Sequence, residues 1–290
     1  MHHDTLSARR IASPVDNSFT SIVIFGASGR MGARIGALAL LDPAFDLRGC
    51  VVRDGSSRVG ESIALPEGAP QSRAVDATTL PGGAHPAREG AAELHLETAK
   101  NIGKTAISAH AVIDFSSDAG VPESIALAER LSAALLVGTT ALSARSLDAL
   151  KGASRSRAVL VAPNTSLGVA VLSVLVTQAC KHLGPDYHCS IVEAHHAAKK
   201  DAPSGTALRL ASAARQAGHA LRDDQILSMR GGDVIGEHTI RFAGPGECIE
   251  LMHRATSRDL FARGALHAAA WLKGKPAGWY TMQDVLALPG

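Results

Sequence analysis

The chain has 290 residues, 46% of them hydrophobic and 19% charged, enough apolar material to bury roughly three quarters of its unfolded surface. Its 29 basic and 27 acidic side chains leave a formal charge of +2, which offers no electrostatic footprint for nucleic acid or an anionic membrane. The longest apolar stretch, 167–176, is far shorter than the roughly 20 residues that cross a bilayer, so no membrane partner is expected.

Residues 1–20 carry charge but no apolar core; they read as a flexible tail, not a secretory signal, and the protein is expected to be cytoplasmic. Cys50, Cys180, Cys189 and Cys248 form no C-x-x-C pair and fit buried, reduced thiols. Residues 21–25 are a β-prone run that enters a glycine-rich turn, and 31–41 follow with helical spacing. A strand at 47–52 completes a βαβ unit with a parallel pair. The stretch 54–110, rich in Gly, Pro, Ala and charge, has no clear period and supports no element assignment.

Alternation resumes with strands at 111–115, 134–137 and 158–161 and helices at 122–132 and 142–153. Strands separated by helices of this length predict a doubly wound parallel sheet of Rossmann type, with its ligand crevice beyond the carboxyl ends of the strands. The pattern then changes. A long helix at 167–182, a strand at 190–193 and a helix after Pro203 precede strands at 226–229, 237–242 and 247–253. Strands without intervening helices predict a second α+β domain, built on a mixed sheet and starting near residue 164. A helix at 260–273 is closed by Gly274.

Between the first strand and its helix stands Gly26-Ala27-Ser28-Gly29-Arg30-Met31-Gly32, the place of a dinucleotide fingerprint. Gly26 allows a tight turn, Gly29 or Gly32 allows close helix packing, and N–H groups at the helix start can meet a pyrophosphate. A sharp connection of no chemical function is the plainer alternative. At the end of the second strand, Val52 cannot accept a ribose hydrogen bond, whereas Arg53 can pair with a 2′-phosphate. This favours NADPH; NADH stays possible but less favoured, and a solvated surface arginine is the competing reading.

The densest polar cluster is Glu193-Ala194-His195-His196-Ala197-Ala198-Lys199-Lys200-Asp201-Ala202-Pro203-Ser204-Gly205-Thr206. Pro203 suits a first helical turn, so Ser204, Gly205 and Thr206 can present N–H groups and a hydroxyl to a carboxylate. Imidazole titrates near neutral pH, and a neighbouring lysine can both donate a proton and hold negative charge, which makes His195 and Lys199 a plausible general-acid pair. No metal is expected: there is no H-E-x-x-H spacing, and adjacent histidines in extended chain point to opposite sides.

With these motifs in hand, the chain from about Ser21 to Leu288 resembles the 4-hydroxy-tetrahydrodipicolinate (dihydrodipicolinate) reductase family of lysine and diaminopimelate biosynthesis. The most specific element is E-A-H-H-x-x-K-x-D-A-P-S-G-T from Glu193 to Thr206, supported by G-A-S-G-R-M-G at Gly26, V-G-T-T at Val137, A-P-N-T-S-L-G-V at Ala162, R-G-G-D-V-I-G-E-H-T at Arg230 and H-R-A-T-S-R-D-L-F-A-R-G-A-L at His253.

The resemblance implies hydride transfer from NAD(P)H to a small cyclic dicarboxylate. His195 would be the proton donor and acceptor, Lys199 the second proton donor, His196 a substrate contact, and Gly205 with Thr206 the carboxylate grip. The cofactor would touch Gly26, Ala27, Ser28, Gly29, Arg30, Met31 and Arg53, with Gly138, Thr139, Thr140, Ala162, Pro163, Asn164 and Thr165 lining the nicotinamide side. It also implies a dinucleotide-binding domain over 21–163, rejoined by the C-terminal segment 256–290, and a substrate-binding and oligomerisation domain over 164–255 that assembles a homotetramer. The sequence departs from the family pattern at Val52, at Ala141 where glycine is usual, and in a shortened 216–229 segment. A different two-domain NADP(H) oxidoreductase, or a nucleotide sensor without catalysis, would share the glycine turn but would not require His195 and Lys199 at this spacing.

Overall fold

The computed structural model describes residues 19–62, 95–102 and 108–287. Residues 1–18 of the tail, and 63–94 and 103–107 of the unassigned stretch, lie outside the described residues. β1 (Thr20–Phe25) is buried at every position, as a strand covered on both faces requires. Ile22 and Ile24 point into one apolar cluster and Val23 and Phe25 into another, because alternate side chains of a strand leave on opposite faces.

α1 (Arg30–Leu41), β2 (Phe45–Val52), β3 (Leu96–Thr98), α2 (Ala99–Ile102), β4 (Ala111–Asp114), α3 (Val121–Arg130), β5 (Ala134–Val137), α4 (Ala144–Ala153) and β6 (Ala158–Val161) follow. Together with β11 (Gly278–Tyr280) near the C-terminus, the strands form a parallel seven-stranded sheet in the order β11-β6-β5-β4-β1-β2-β3. Its core holds Ile35, Ile113, Leu127, Leu135 and Leu160, all fully buried. Each such side chain stabilises by about 1.5–3 kcal/mol.

The second sheet comes from α5 (Leu167–Leu183), β7 (His188–His195), α6 (Gly205–Gln216), β8 (Ile226–Arg230), β9 (Gly236–Gly244) and β10 (Glu247–Ala255). Its order is β10-β9-β7-β8, parallel between β7 and β8 and antiparallel elsewhere, the mixed sheet expected from strands without helices between them. On the covered face, Cys189, Phe242 and Ile249 make one row and Ile191, Ile240 and Leu251 the next. The third row is Glu193, His238 and His253, so the apolar face ends in titratable groups.

α7 (Asp259–Leu272) and α8 (Met282–Val285) return to the first sheet, where Arg34 of α1 forms a two-pronged ion pair with Asp259. Gly264 of α7 is required by close approach: a Cβ there would lie 1.8 Å from the Thr165 carbonyl oxygen. Cys50, Cys180 and Cys189 are buried and free as expected, but Cys248 is free and exposed, because on β10 it points away from the helix-covered face. Pro203 also departs from expectation. Ser204 is the N-cap of α6, extended at φ −65° and ψ 151° and accepting from Ala207 N–H, so Pro203 lies ahead of the helix and Gly205 opens it.

Candidate active site

All parallel strands deliver their carboxyl ends to one rim. There the N–H groups of Gly26 and Ala27 both donate to the Val51 carbonyl, which sets the glycine turn against the end of β2. Gly26 adopts φ +83°, and a Cβ on it would sit 2.8 Å from the Phe115 carbonyl oxygen, so only glycine keeps this cradle open. A Cβ on Gly32 would come within 2.2 Å of the Gly26 oxygen, which fixes the closeness of helix and turn. Gly29 caps α1 without a side-chain hydrogen bond, whereas α4, α5 and α6 are each capped by a serine. The first turn of α1 therefore has no capping side chain on its N–H groups, as an anion site needs.

Val52 is buried in the core, and Arg53, the first exposed residue beyond it, makes no side-chain hydrogen bond or ion pair among the described residues. Arg58, in the stretch that gave no sequence signal, donates to the Ser28 carbonyl at 3.0 Å and pairs with Glu61 at 2.6 Å. Gly138 packs on the Phe115 ring, where a Cβ would come within 2.1 Å. Thr139 is buried, its hydroxyl 3.4 Å from Asp114, whose Oδ1 also accepts from the N–H and hydroxyl of Ser116. Burial pushes the Asp114 carboxyl up, against the hydrogen bonds from Ser116, Ser124 and Thr139. Thr140 is exposed and Ala162 buried, its N–H bonded to the Val137 carbonyl. Thr165 turns inward instead, donating to the Phe261 carbonyl at 2.7 Å, so its hydroxyl is committed to α7.

Asn164 bridges the two sheets. Its amide nitrogen donates to Thr206 Oγ1 at 3.0 Å and its oxygen accepts from Ser166 N–H at 2.8 Å, linking the end of β6 to the first turn of α6. His195 stands at the end of β7, its Nδ1 hydrogen-bonded to Glu193 Oε2. Glu193 is fully buried and accepts from both Nη atoms of Arg230 at 2.9 and 2.7 Å and from Ser204 N–H at 3.2 Å. Burial acts to raise its pKa, but the bonds from Arg230, Ser228 and His195 prevail and hold it at about 2.

Burial depresses the His195 imidazole; Glu193 opposes this, and the Lys199 and Arg230 charges add to the depression. Lys199 is tied to Asp201 through both carboxylate oxygens at 2.7 and 2.8 Å, while Pro163 and Lys200 are exposed and the His196 ring makes no hydrogen bond among the described residues. His238, at 4% exposure, gives Nε2 to a 3.1 Å contact with Ser204 Oγ and stands edge-on to His195 at 5.2 Å. Burial and the neighbouring His195 lower its pKa to about 4. The described residues contain no cluster of three or more His, Cys, Asp or Glu placed to hold a metal ion, and no helix long and apolar enough to cross a membrane.

The Asn164–Thr206 bond joins the end of β6, in the sheet that carries the glycine turn, to the helix that follows the titratable end of β7. That geometry defines a pyridine-nucleotide-dependent oxidoreductase of Rossmann type. Residues 20–165 match the family model for dihydrodipicolinate reductase, N-terminus, and residues 168–286 that for its C-terminus. The 4-hydroxy-tetrahydrodipicolinate reductase of Anaeromyxobacter dehalogenans strain 2CP-1 is 40% identical over 290 residues, spanning 93% of this chain and 99% of the relative. That of Xanthomonas euvesicatoria pv. vesicatoria is 43% identical over 269 residues, with 93% and 98% covered. The dipicolinate-bound dihydrodipicolinate reductase of Paenisporosarcina sp. TG-14 shares the fold at TM-score 0.69 and 18% identity, with 92% of this chain and 98% of that one covered. The chain belongs to the dihydrodipicolinate reductase family.

Proposed function

We propose that the protein reduces 4-hydroxy-tetrahydrodipicolinate to tetrahydrodipicolinate in lysine and diaminopimelate biosynthesis, with NADPH as the favoured donor. The observation that carries the reading is the gathering of His195, Lys199 and the first turn of α6 at one end of the mixed sheet, joined to the nucleotide crevice through the Asn164–Thr206 bond. NAD(P)H suits the crevice because the Gly26 cradle admits no Cβ and the α1 terminus has no capping side chain. Gly26 to Met31 would hold its phosphates and Arg53 its 2′-phosphate, with Gly138, Thr139, Thr140, Ala162, Pro163, Asn164 and the backbone, not the hydroxyl, of Thr165 bordering the nicotinamide. When bound, the reduced nicotinamide supplies a hydride to the conjugated cyclic imine.

The chain's own residues then handle charge and protons. N–H groups of Gly205 and Thr206 hold one substrate carboxylate, with the α6 dipole behind them. His196 meets the substrate, His195 delivers a proton to the enamine-like carbanion, and Lys199, aimed by Asp201, is the second donor. A substrate with two carboxylates accounts for a local concentration of His195, His196, Lys199 and Lys200 in a nearly neutral chain. Dipicolinate, which the Paenisporosarcina protein binds, is a dicarboxylate of this kind.

We divide the chain near residue 164, with 256–287 returning to the first sheet, and place the protein in the cytoplasm, where free thiols persist. The uncovered face of the mixed sheet carries Leu227, Met229 and Met252, each more than half exposed, and we assign it to homotetramer assembly. The test is to mix the protein with NADPH and freshly generated 4-hydroxy-tetrahydrodipicolinate and follow cofactor absorbance. Substrate-dependent oxidation is expected; none between mildly acidic and mildly basic pH would overturn the reading.

A further inference from the structure

We propose that Glu193 is the positioning residue of the proton transfer: its carboxylate accepts a hydrogen bond from His195 Nδ1–H and leaves Nε2 as the nitrogen that meets the substrate. This deepens the reading of His195 as proton donor and rests on it. Cys189, Ile191 and Glu193 all face inward along β7, so a carboxylate occupies a position that the pattern reserves for an apolar side chain. A buried charge survives only when paired and fully hydrogen-bonded. Glu193 meets that condition: Oε1 accepts from Arg230 and from Ser204 N–H, and Oε2 accepts from Arg230 and stands against His195 Nδ1.

An ionised carboxylate has no proton to give, so Nδ1 must be the donor, and neutral His195 is the Nδ1–H tautomer with its lone pair on Nε2. The chain leaves room on that side. A Cβ on Gly236 would stand 3.1 Å from His195 Nε2, so glycine there keeps the nitrogen unobstructed. The remaining charged or titratable groups around the pair are Arg230 from β8, Lys199 and Asp201 from the following loop, His238 from β9 and, behind it, His253 from β10. None of them replaces Glu193 at Nδ1, since His238 presents its edge and spends Nε2 on Ser204. Glu193 therefore ties the acid to Ser204, the cap of the helix whose next two residues hold the carboxylate. In the step itself the Nε2–H bond breaks and a C–H bond forms on the carbanion carbon. The imidazole keeps the nitrogen electron pair, Glu193 stays ionised, and water later restores the proton.

The test uses the full-length protein labelled with 15N-histidine. Above the His195 pKa, its nitrogen shifts are expected to report the Nδ1–H tautomer; a dominant Nε2–H tautomer in the unmutated protein would overturn the proposal without any variant. In Glu193→Gln the tautomers should mix, and the pH limb of kcat assigned to the imidazole should move to lower pH. kcat should fall by about 10- to 1000-fold, part of the roughly 10²–10⁴ that a positioned acid contributes, with NADPH affinity within about twofold. Glu193→Asp should restore the tautomer and part of kcat. An unchanged limb and tautomer in Glu193→Gln, with His195→Gln inactive, would overturn the role of Glu193 alone; full turnover in His195→Gln would instead overturn the reading beneath it.

Discussion

Gly264→Ala is the perturbation whose size the structure states most directly. The added Cβ would lie 1.8 Å from the Thr165 oxygen and 2.9 Å from its carbonyl carbon, both backbone atoms that cannot swing aside as a flexible side chain would. Ordinary contact begins at 3.4 Å, so α7 and the segment after β6 would have to part by about 1.5 Å. That displacement would strain the Thr165–Phe261 hydrogen bond and the packing of Ala262, Ala265 and Leu266, which are buried in the core under α1. Overpacking of this kind costs about 1–3 kcal/mol. At about 2–4 °C per kcal/mol, Tm should fall by roughly 2–12 °C. Because Thr165 adjoins the bridge residue Asn164, NADPH or substrate affinity should weaken as well. Thermal unfolding followed by circular dichroism, with cofactor titration by fluorescence, measures both. A variant with unchanged Tm and unchanged affinities would refute the reasoning, since it would mean that the two backbones are not in contact.

Three further outcomes follow from the same structure. Glu193 has its pKa held at about 2 and His238 at about 4, below their ordinary 4.5 and 6.5, so both take up protons more readily when unfolded. Stability should therefore be full above about pH 6.5, decline as pH falls toward 4 through His238, and decline again from 4.5 toward 2 through Glu193. Each contributes on the order of 3 kcal/mol, and a Tm independent of pH across these windows would contradict the assignment. Ala141 adopts φ +56°, a left-handed conformation that costs a non-glycine residue about 1–2 kcal/mol. Ala141→Gly should raise stability by up to about 1 kcal/mol after the entropic penalty of glycine, and a lower Tm would show that the Ala141 side chain has a packing role. Arg53→Ala should weaken NADPH by about 1.5–3 kcal/mol while leaving NADH nearly unchanged; equal weakening of both would remove Arg53 from the 2′-phosphate.

The parts that could be read from the sequence were those with a period or a cap. The β1–α1–β2 unit, the alternation through β6 and the three successive strands of the mixed sheet all follow from apolar spacing. β3 and β11 do not, being three residues each and too short to show one. The family motif brought His195, Lys199, Gly205 and Thr206 into view, yet Glu193 stood in the same motif without a role. Its signal was available as a carboxylate in phase with Cys189 and Ile191, just as His238 is in phase with Ile240 and Phe242. What the sequence lacked was the knowledge that those two inward positions are neighbours on paired strands. Arg58 was hidden for another reason: its contact with Ser28 depends on a loop that folds back across 30 positions. Thr165 shows the converse, a residue placed by motif at the cofactor whose hydroxyl the packing turns toward α7.

The claim beneath all of this is that His195 and Lys199 deliver protons to a reduced substrate. Steady-state turnover of His195→Gln and Lys199→Met, set beside NADPH dissociation constants for the same proteins, tests it most directly. The account predicts kcat lower by about 10²–10⁴ in each variant with cofactor binding intact. Turnover near that of the unmutated protein in both variants would contradict it.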